Sequence, residues 1–550
     1  MNFDPNNIPF NQAADFITKT NKNLFLTGKA GTGKTTFLRY IKRNTSKNMI
    51  VLAPTGVAAI NAGGNTLHSF FQLPFGPLPP NDPRLQTTKF PAGKAKQNIY
   101  QKFRYNKEKK KLIKQLELLV IDEISMVRAD VLDAIDKLLR VFRNKPAFPF
   151  GGVQVLLIGD VFQLPPIAKR EEWPLLQPFY QSPFFFHSQV VRDYPLIHIE
   201  LKKIYRQNDE EFVDLLNKVR NNELEQVDFE LLNSRYDPHF QQQAFEDYIT
   251  LSSHNKFVDQ VNQENLAQLP STTYKFPAII EGDFDPKTTA AETQLVLKEG
   301  AQVMFLKNDR GDDKRFFNGK IGRIVELDQQ KIVVHCEGDA DDIHVERDEW
   351  KNVKYVWNEK EQKIEEEIVG VFKQYPVKLA WAISVHKSQG LTFNKVIADL
   401  AHSFSPGQVY VALSRCTNFE GLVLQSPILQ NAIKTSSEAL AFSRQLTQQD
   451  VLQEAFINGQ ADHYYAKARA AFDQHDFSSA YSFLLDALNY RNDLQTPDFK
   501  RYIELKLKRL AQRPKLPEVK REVVQPQVDE KKPTDFYRLS KEDLLNGLPF

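Results

Sequence analysis

The sequence predicts an α/β protein with a parallel sheet, because three short apolar segments each end in a polar loop. The segments are 24–27, 116–121 and 153–158, and turn residues or charges follow each of them. Short apolar runs bounded by turn signals are typical of strands buried inside a sheet. The loops after such strands gather at one edge, where α/β proteins bind ligands. A chain of 550 residues is too long for one core, so we expect three or four structural units.

The composition excludes several classes of protein. Hydrophobic residues make up 41% and charged residues 26% of the chain, which is typical of soluble globular proteins. We expect no secretion signal and no membrane span, since no apolar run approaches the roughly 18 to 20 residues that a span needs. The two cysteines, Cys336 and Cys416, argue against a disulfide framework or a cysteine zinc site and fit a reducing cytoplasm. The net charge of +3 is compatible with a nucleic-acid partner but does not demand one.

The first apolar segment leads into a glycine-rich loop and then into a helical segment, which is the context of a phosphate-binding loop. Glycines let backbone N–H groups surround phosphates, and the helix N-terminus adds partial positive charge. We therefore expect ATP here, with Lys34 on the β- and γ-phosphates and the Thr35 hydroxyl on Mg²⁺. The predicted nucleotide-binding residues of this loop are Gly28, Ala30, Gly31, Thr32, Gly33, Lys34, Thr35 and Thr36.

Polar residues after the other two segments complete the predicted site. Asp122 is expected to hold Mg²⁺ and Glu123 to orient and deprotonate the attacking water. Gln163, in the loop after the third segment, could sense the γ-phosphate, with a local capping role as the alternative. Gln12 could read the adenine edge, although a surface glutamine is the ordinary interpretation.

Basic residues cluster in a proline-initiated insertion between 72 and 113 and just beyond it. Such a run is either a solvated helix face or a nucleic-acid contact, and the sequence leaves both open. The clustered residues are Lys94, Lys96, Lys102, Arg104, Lys107, Lys109, Lys110, Lys111 and Lys114.

A series of motifs, in this order, resembles the B group of superfamily 1 helicases, and within it the Pif (petite integration frequency) family, with RecD as a broader relative. The resemblance covers roughly residues 8 to 430, and the stretch 123–139 also resembles the family's signature segment. One departure is Lys29, where many relatives have proline. The motifs are 28–35, 53–59, 66–70, 121–126, 159–166, 205–207, 385–390 and 409–415.

The resemblance implies two RecA-like lobes, at 1–204 and 205–440, with ATP and Mg²⁺ in the cleft between them. The first lobe would carry a small wedge insertion at about 72–113, and the second an SH3-like β-barrel insertion at about 308–375. Arg206 and Arg415 would act as arginine fingers, and Gly390 would adjoin the nucleotide. The implied activity is ATP-dependent unwinding of DNA with 5′→3′ translocation, in a bacterial-type, nucleoid-associated cytoplasmic protein.

The resemblance also implies a track for single-stranded DNA and for junctions of single and double strands. Single-strand binders combine basic grooves with aromatic platforms. Phe70 is expected to offer such a platform, with a core position as its alternative, and Gln389 is expected to contact the strand from the second lobe together with the residues before it. The predicted track residues are Thr55, Gly56, His68, Ser69, Phe70, His386, Lys387 and Ser388.

The C-terminal part is predicted to be helical over 441–511 and a flexible tail over 512–550. Residues 461–492 resemble half of a tetratricopeptide repeat, which either packs on the motor or docks a protein partner. Two alternatives to a DNA helicase remain at this stage: an RNA-directed helicase of the same group, and a nucleotide-gated scaffold with a helical docking region. The sequence does not indicate a preferred DNA structure, an oligomeric state or a pathway.

Overall fold

The computed structural model describes residues 6–87, 98–205, 209–240, 248–309, 315–400, 403 and 405–511. Within these ranges, no helix combines the length and the apolar character that crossing a membrane requires. Both cysteines are buried, and no disulfide joins them. The predictions on Lys94, Lys96, Arg206 and the tail after 511 lie outside the described residues.

The first lobe is a six-stranded parallel sheet in the order β3-β2-β4-β5-β1-β6. Its central strands are fully buried, as their apolar sequences predict. The strands are β1 Leu24–Gly28, β2 Met49–Ala53, β3 Asn65–Thr66, β4 Leu118–Ile121, β5 Gln154–Ile158 and β6 Ile197–Leu201. The helices are α1 Ile8–Lys19, α2 Lys34–Asn44, α3 Gly56–Ala62, α4 Leu67–Phe71, α5 Ile99–Lys102, α6 Lys107–Gln115, α7 Ala129–Phe142, α8 Trp173–Leu176 and α9 Gln189–Asp193.

The second lobe is a smaller parallel sheet, described with four strands in the order β18-β7-β19-β20. Its strands are β7 Ile249–Ser252, β18 Ala382–Ser384, β19 Val396–Asp399 and β20 Leu422–Leu424. Its helices are α10 Glu210–Asn221, α11 Gln226–Asn233, α12 Asn255–Gln268, α13 Gln408–Leu413 and α14 Ser437–Ser443. Short helix α13 is buried along its whole length between the lobes' loops.

Antiparallel strands interrupt the second lobe between β7 and β18. They form a five-stranded sheet, β14-β13-β12-β11-β17, a three-stranded sheet, β15-β16-β9, and the pair β10-β8. The insertion is therefore rich in β-strands, as predicted. In the described residues its main sheet has two edge strands, β14 and β17, so it does not close into a barrel. The strands are β8 Thr273–Pro277, β9 Ile279–Gly282, β10 Gln294–Lys298, β11 Gln302–Phe305, β12 Ile321–Leu327, β13 Ile332–His335, β14 Ile343–His344, β15 Asp348–Asn358, β16 Lys363–Gln374 and β17 Val377–Leu379.

The long hairpin β15–β16 crosses from this insertion to the first lobe. The Tyr355 hydroxyl lies 3.3 Å from both the backbone nitrogen and the backbone oxygen of Val51 in β2. The Asn48 side chain accepts from the Ile364 N–H at 3.1 Å, and Lys111 of α6 forms an ion pair with Glu359 at the hairpin tip. The hairpin thus occupies polar backbone groups at the edge of the first sheet and joins the two lobes.

The C-terminal helices begin with a hairpin of α15, Gln449–Asp473, and α16, Phe477–Leu488. Helix α15 packs on α1, where the rings of Phe16 and Phe456 meet edge to face at 5.2 Å and Lys22 pairs with Asp462 at 3.0 Å. Of the two alternatives for this region, the structure therefore places the hairpin against the first lobe. Residues from 492 onward form a separate unit, in which helix α17, Pro497–Ala511, is described.

Candidate nucleotide site and nucleic-acid track

The glycine-rich loop lies between β1 and α2, and its conformation requires glycine. Gly33 has φ of +90°, in the left-handed region that side-chain-bearing residues rarely adopt. A Cβ on Gly28 would lie 2.5 Å from the Thr32 hydroxyl oxygen and 2.8 Å from the Leu201 carbonyl oxygen. The backbone at these two glycines therefore does not accommodate larger residues, as is typical of a loop whose N–H groups surround a phosphate.

The Lys34 ammonium group folds over the loop. It donates to the Gly28 carbonyl at 2.6 Å and to the Lys29 carbonyl at 2.9 Å. The same carbonyls hold the amine at the centre of the loop, where a phosphate would approach. Burial raises the pKa values of the neighbouring Asp122 and Glu123 carboxyl groups, and the positive charge of Lys34 opposes that rise.

A cavity of about 990 Å³ opens over this loop, between the two lobes. It brings together most of the predicted nucleotide residues with predicted catalytic residues from distant parts of the chain. Gly28 and Asp122 adjoin the cavity from the strand ends without lining it. The predicted residues that line it are Ala30, Gly31, Thr32, Gly33, Lys34, Thr35, Thr36, Glu123, Gln163, Gly390 and Arg415.

The carboxyl groups of Asp122 and Glu123 lie side by side at the end of β4. Burial, together with the charge of Glu123, raises the pKa of Asp122 to about 7. Burial also raises the pKa of Glu123, while the charges of Lys34 and Arg415 oppose that rise. Glu123 has φ of +51°, an uncommon conformation for a residue with a side chain and one that is found at functional sites.

Gln389 connects these carboxyl groups to the second lobe. Its Nε2 donates to Glu123 Oε2 at 2.9 Å and to Gln163 Oε1 at 3.2 Å. The resemblance placed Gln389 on the nucleic-acid edge, so this position in the catalytic cluster is a correction. His386 and Lys387 face the solvent while Gln389 turns inward, and no local pattern distinguishes these polar residues.

Arg415 reaches the cavity from the loop after α13. Its side chain is 2% exposed, and it donates to the Val411 carbonyl at 2.9 Å, the Leu391 carbonyl at 3.2 Å and the Ser414 hydroxyl at 3.0 Å. These bonds fix the guanidinium beside Glu123. Buried arginine at such a position suits stabilisation of negative charge on a phosphoryl group.

A buried polar network joins the lobes behind the loop. Tyr410, in α13, accepts from the Ala30 N–H at 3.1 Å and donates to Asp160 at 3.3 Å. Asp160 also accepts from Arg220 of α10 at 3.1 Å. A Cβ on Gly407 would lie 2.5 Å from the Phe162 carbonyl oxygen, so the two lobes are in direct backbone contact here. Sequence reasoning missed Tyr410 and Arg220 as members of the site.

The far end of the cavity is lined by residues that the sequence did not single out. Asn7 and Phe10 lie there, and Asn7 donates to the Tyr205 hydroxyl at 3.1 Å. Tyr205 covers Gly33, and its N–H donates to the Gly31 carbonyl at 2.9 Å. Gln12 is not among the described residues that line this cavity; the side-chain amides that do line it are those of Asn7, Asn44 and Gln163.

The predicted nucleic-acid track begins at the end of β2. The Thr55 hydroxyl caps α3 by accepting from the Ala58 N–H at 3.2 Å. Gly56 is in close contact with the second lobe, since a Cβ there would lie 2.7 Å from Thr288 Cα. In this arrangement the segment around Thr288 covers the predicted strand path at Gly56.

His68 and Ser69 lie on an accessible part of α4. The His68 ring is stacked on Phe75, with ring centroids 5.4 Å apart and planes 13° apart. Phe75 is 90% exposed and follows Pro74 in a loop, so its ring, unlike that of Phe70, is accessible to a ligand. Burial and the charge of Arg128 lower the pKa of His68, which favours the neutral ring.

Phe70 is a core residue, contrary to the predicted platform role. It is 3% exposed, meets Phe71 edge to face at 4.9 Å, and carries the Lys109 ammonium 3.1 Å above its ring. The helical spacing of α4 turns Phe70 and Leu67 toward the sheet, while His68 and Ser69 face outward.

The second-lobe motif at 385–390 also contains both exposed and buried polar residues. His386 and Lys387 are exposed, as a contact with a strand requires. Ser388 is fully buried, and its hydroxyl donates to the Val385 carbonyl at 2.8 Å. Ser388 therefore holds the turn rather than presenting a hydroxyl to a ligand, which corrects its predicted role in this arrangement.

The described part of the lysine run serves two purposes. Lys109 and Lys111 are engaged with Phe70 and Glu359, and burial lowers the pKa of Lys109 to about 7. Lys107, Lys110 and Lys114 face the solvent on the other side of α6. One helix thus has a face docked on the hairpin and a basic face open to a partner.

The chain is similar in sequence to known proteins. The family model described as PIF1-like helicase matches residues 7–230. The chain is 32% identical over 452 residues to "ATP-dependent DNA helicase Pif1" of Campylobacter jejuni, covering 76% of this chain and 94% of the relative. It is also 32% identical over 454 residues to "ATP-dependent DNA helicase PIF1" of Danio rerio, where it spans only 63% of the relative's length.

Solved structures of a Bacteroides sp Pif1 are similar in fold. The crystal structure in complex with ADP-AlF4 is 38% identical, with a TM-score of 0.71, and the match covers 79% of this chain and 96% of that chain. The crystal structure of the same relative bound to ssDNA has the same identity and coverage and a TM-score of 0.55. The present arrangement of the chain is thus more similar to the former structure than to the latter.

Proposed function

The chain belongs to the PIF1-like helicase family, and from this premise we propose that it is an ATP-dependent DNA helicase that moves 5′→3′ along single-stranded DNA. One observation carries the proposal: a single cavity joins the phosphate-binding loop to Glu123, Gln163 and Arg415 at the junction of the lobes. A site assembled from both lobes is sensitive to how they close. Closing and opening of the lobes around one strand is the motion that such a motor requires.

Four side chains of the cavity have chemical roles in hydrolysis. Lys34 and the loop N–H groups bind the β- and γ-phosphates, and Glu123 accepts a proton from the attacking water. Gln163 holds that water or the γ-phosphate through its amide. Arg415 stabilises the charge that develops on the transferred phosphoryl group, a contribution of about 10³ to 10⁵ in rate for such arginines.

The site also suits Mg²⁺, which would neutralise phosphate charge during transfer. The Thr35 hydroxyl and the Asp122 carboxylate would be its oxygen ligands from the protein. Among the described residues no group of three or more histidine, cysteine, aspartate or glutamate side chains is placed to hold a metal ion. A site with few protein oxygens fits Mg²⁺, which usually retains water and takes phosphate oxygens as further ligands.

Coupling of hydrolysis to movement follows from the contacts between the lobes. ATP adds charge-assisted bonds to Arg415 and thereby favours the closed arrangement. Hydrolysis removes those bonds, and the lobes separate. If the track residues around Gly56 and His386 grip the strand alternately, each cycle advances the chain along it. The Thr288 segment must leave Gly56 for a strand to enter.

Strand displacement on two duplexes tests this proposal, one with a 5′ single-stranded tail and one with a 3′ tail, each with ATP and Mg²⁺. We expect unwinding of the 5′-tailed duplex only. Unwinding of the 3′-tailed duplex alone would contradict the proposed direction while leaving the ATP site intact. Matched RNA strands in an ATPase assay distinguish an RNA-directed motor, since DNA should stimulate turnover more strongly.

Glu123→Gln provides the control for this experiment. The variant keeps the size and the hydrogen bonds of the side chain but loses the proton acceptor. It should bind ATP and fail to unwind either duplex. Unwinding by this variant at the wild-type rate would assign the proton acceptor to another residue.

A further inference from the structure

A second, much smaller cavity lies between the lobes on the side of the predicted strand path. It has a volume of about 30 Å³. Helix α3 of the first lobe lines it with Val57 and Asn61, directly after Thr55 and Gly56 in sequence. The second lobe and its insertion line it with Lys378, Lys387, Gln389 and Trp350.

Lys378 is the unusual member of this set. It lies on β17, opposite Met304 of β11 in the antiparallel ladder. Within the part of the chain that the structure describes, no side chain or carbonyl forms a hydrogen bond or ion pair with its amine. Burial and the neighbouring charge of Lys387 lower the pKa of Lys378 to about 8, and the charge of Glu292 only partly opposes this.

Two ammonium groups facing one cavity with a single nearby carboxylate leave positive charge uncompensated. Lys378 is half-buried and Lys387 is exposed, so the loss of hydration falls on Lys378. Holding a half-buried ammonium group beside a second positive charge costs free energy. A phosphate group would supply the missing negative charge and accept hydrogen bonds from both amines. The amide of Asn61 in the wall adds a further polar contact for a sugar-phosphate backbone.

We propose that Lys378 and Lys387 form a phosphate site for single-stranded DNA in this cavity, with Lys378 as a strand contact that no motif predicts. This inference rests on the proposed function. The present volume holds about one or two water molecules, so strand entry must widen the gap between α3 and the second lobe.

The position of the site gives it a direct route to the ATP cavity. Gln389 lines the small cavity and donates to Glu123 on its other side. A phosphate bound in this cavity would share it with Gln389, the side chain that donates to the catalytic carboxylate. Strand binding in the small cavity and the position of the Glu123 carboxylate are thus linked through Gln389.

Binding of fluorescent oligo-dT by the full chain, measured by anisotropy over a series of salt concentrations, tests the proposal. Lys378→Met should weaken binding roughly tenfold at moderate salt. It should also reduce the salt slope of log K by about 0.7, the value for one phosphate contact on a single strand. Glu292→Gln should tighten binding by about threefold, because it removes the competing negative charge.

Two further variants and a stability measurement separate a binding role from a structural one. Lys378→Arg should restore the wild-type salt slope because it retains the charge. Lys351→Met, on the exposed face of β15, should bind as the wild type does. The melting temperature of Lys378→Met should equal or exceed that of the wild type, since a half-buried positive charge beside Lys387 is lost.

Two results for the Lys378 variant would overturn the inference. Lys378→Met could bind with wild-type affinity and slope, or it could lose affinity together with a lowered melting temperature, which would make Lys378 structural. A wild-type chain that fails to bind oligo-dT at all would instead contradict the proposed function on which the inference rests.

Discussion

Gln389 donates a hydrogen bond of 2.9 Å to Glu123, a residue 266 positions earlier in the chain. The same amide nitrogen lies 3.2 Å from Gln163 Oε1, so one second-lobe side chain contacts both predicted catalytic residues of the first lobe. The orientation of the Glu123 carboxylate therefore depends on how the lobes are placed. A motor needs such dependence, because hydrolysis must be slow until the strand and the lobes are correctly arranged.

The first prediction concerns this contact. Gln389→Leu keeps the size of the side chain and removes both hydrogen bonds. We expect ssDNA-stimulated ATP turnover to fall by about 10-fold to 100-fold, the scale on which small misplacement of a catalytic group acts. Steady-state ATPase assays with and without oligo-dT measure this effect.

Gln226→Leu is the matched control for this change. Gln226 lies on the exposed surface of α11, where it pairs with Glu230. It should leave stimulated turnover at the wild-type level. Equal stimulation in Gln389→Leu and in the wild type would show that the contact does not orient Glu123 during turnover.

The second prediction concerns pH and the stability of the nucleotide-free protein. Asp122 has its pKa raised from 3.8 to about 7, so between these values the folded state binds more protons than the unfolded state. The contribution of Asp122 to the free energy of unfolding therefore falls as pH rises through this window. Asp122→Asn should raise that free energy by about 4 kcal/mol above pH 7, with little gain near pH 4.

Thermal melts of both proteins across this pH range check the prediction. The difference in melting temperature should grow as pH increases and level off above neutrality. A difference that is the same at all pH values would mean that the Asp122 carboxyl does not titrate in this window.

The third prediction contrasts two phenylalanines five positions apart. Phe70→Ala should lower the free energy of unfolding by about 3 to 5 kcal/mol, because the ring is buried against Phe71 and Lys109. Phe75→Ala should change stability by less than about 0.5 kcal/mol. It should instead weaken oligo-dT binding roughly tenfold, as loss of one stacked base does.

Chemical denaturation and anisotropy titration of the two variants measure these effects. The opposite pattern, with Phe75→Ala unstable and Phe70→Ala weak only in binding, would reverse the assignment of core and platform.

The fourth prediction concerns the buried ion pair of Asp160 and Arg220. Arg220→Met should lower the free energy of unfolding by ~3–5 kcal/mol, since it leaves the Asp160 carboxylate buried without its counter-charge. The double variant Asp160→Asn with Arg220→Met should recover most of that loss. Denaturant unfolding of the wild type, the single variant and the double variant provides the comparison, and a double variant less stable than the single one would contradict it.

Local patterns predicted the parts of the site that lie next to one another in the chain. The phosphate-binding loop from Gly28 to Thr35 follows from a buried strand, a glycine-rich turn and a helix start within a few residues. Asp122 and Glu123 follow in the same way from the end of β4. In each case the residues that contact the ligand are placed by the backbone of one strand and its loop.

The errors share a physical origin in packing between distant segments. Phe70 was expected at the strand path, but the hairpin tip with Tyr355 and the Lys109 side chain cover that part of α4. Ser388 and Gln389 were both expected at the nucleic-acid edge, but the turn after β18 directs Ser388 into the lobe and Gln389 toward Glu123. Neighbouring polar residues in a turn carry no periodic signal that separates inward from outward positions.

The sequence by itself determined the α/β class, the phosphate-binding loop and the identity of the carboxyl pair, because these depend on short stretches of chain. Only the tertiary structure decided which second-lobe residues meet them, as with Tyr410 on Ala30, Gln389 on Glu123 and Lys378 in the small cavity. Such contacts join residues hundreds of positions apart, and their geometry depends on how two sheets and an insertion pack together. Packing of that kind depends on the whole core, so it cannot be predicted from any single segment of the sequence.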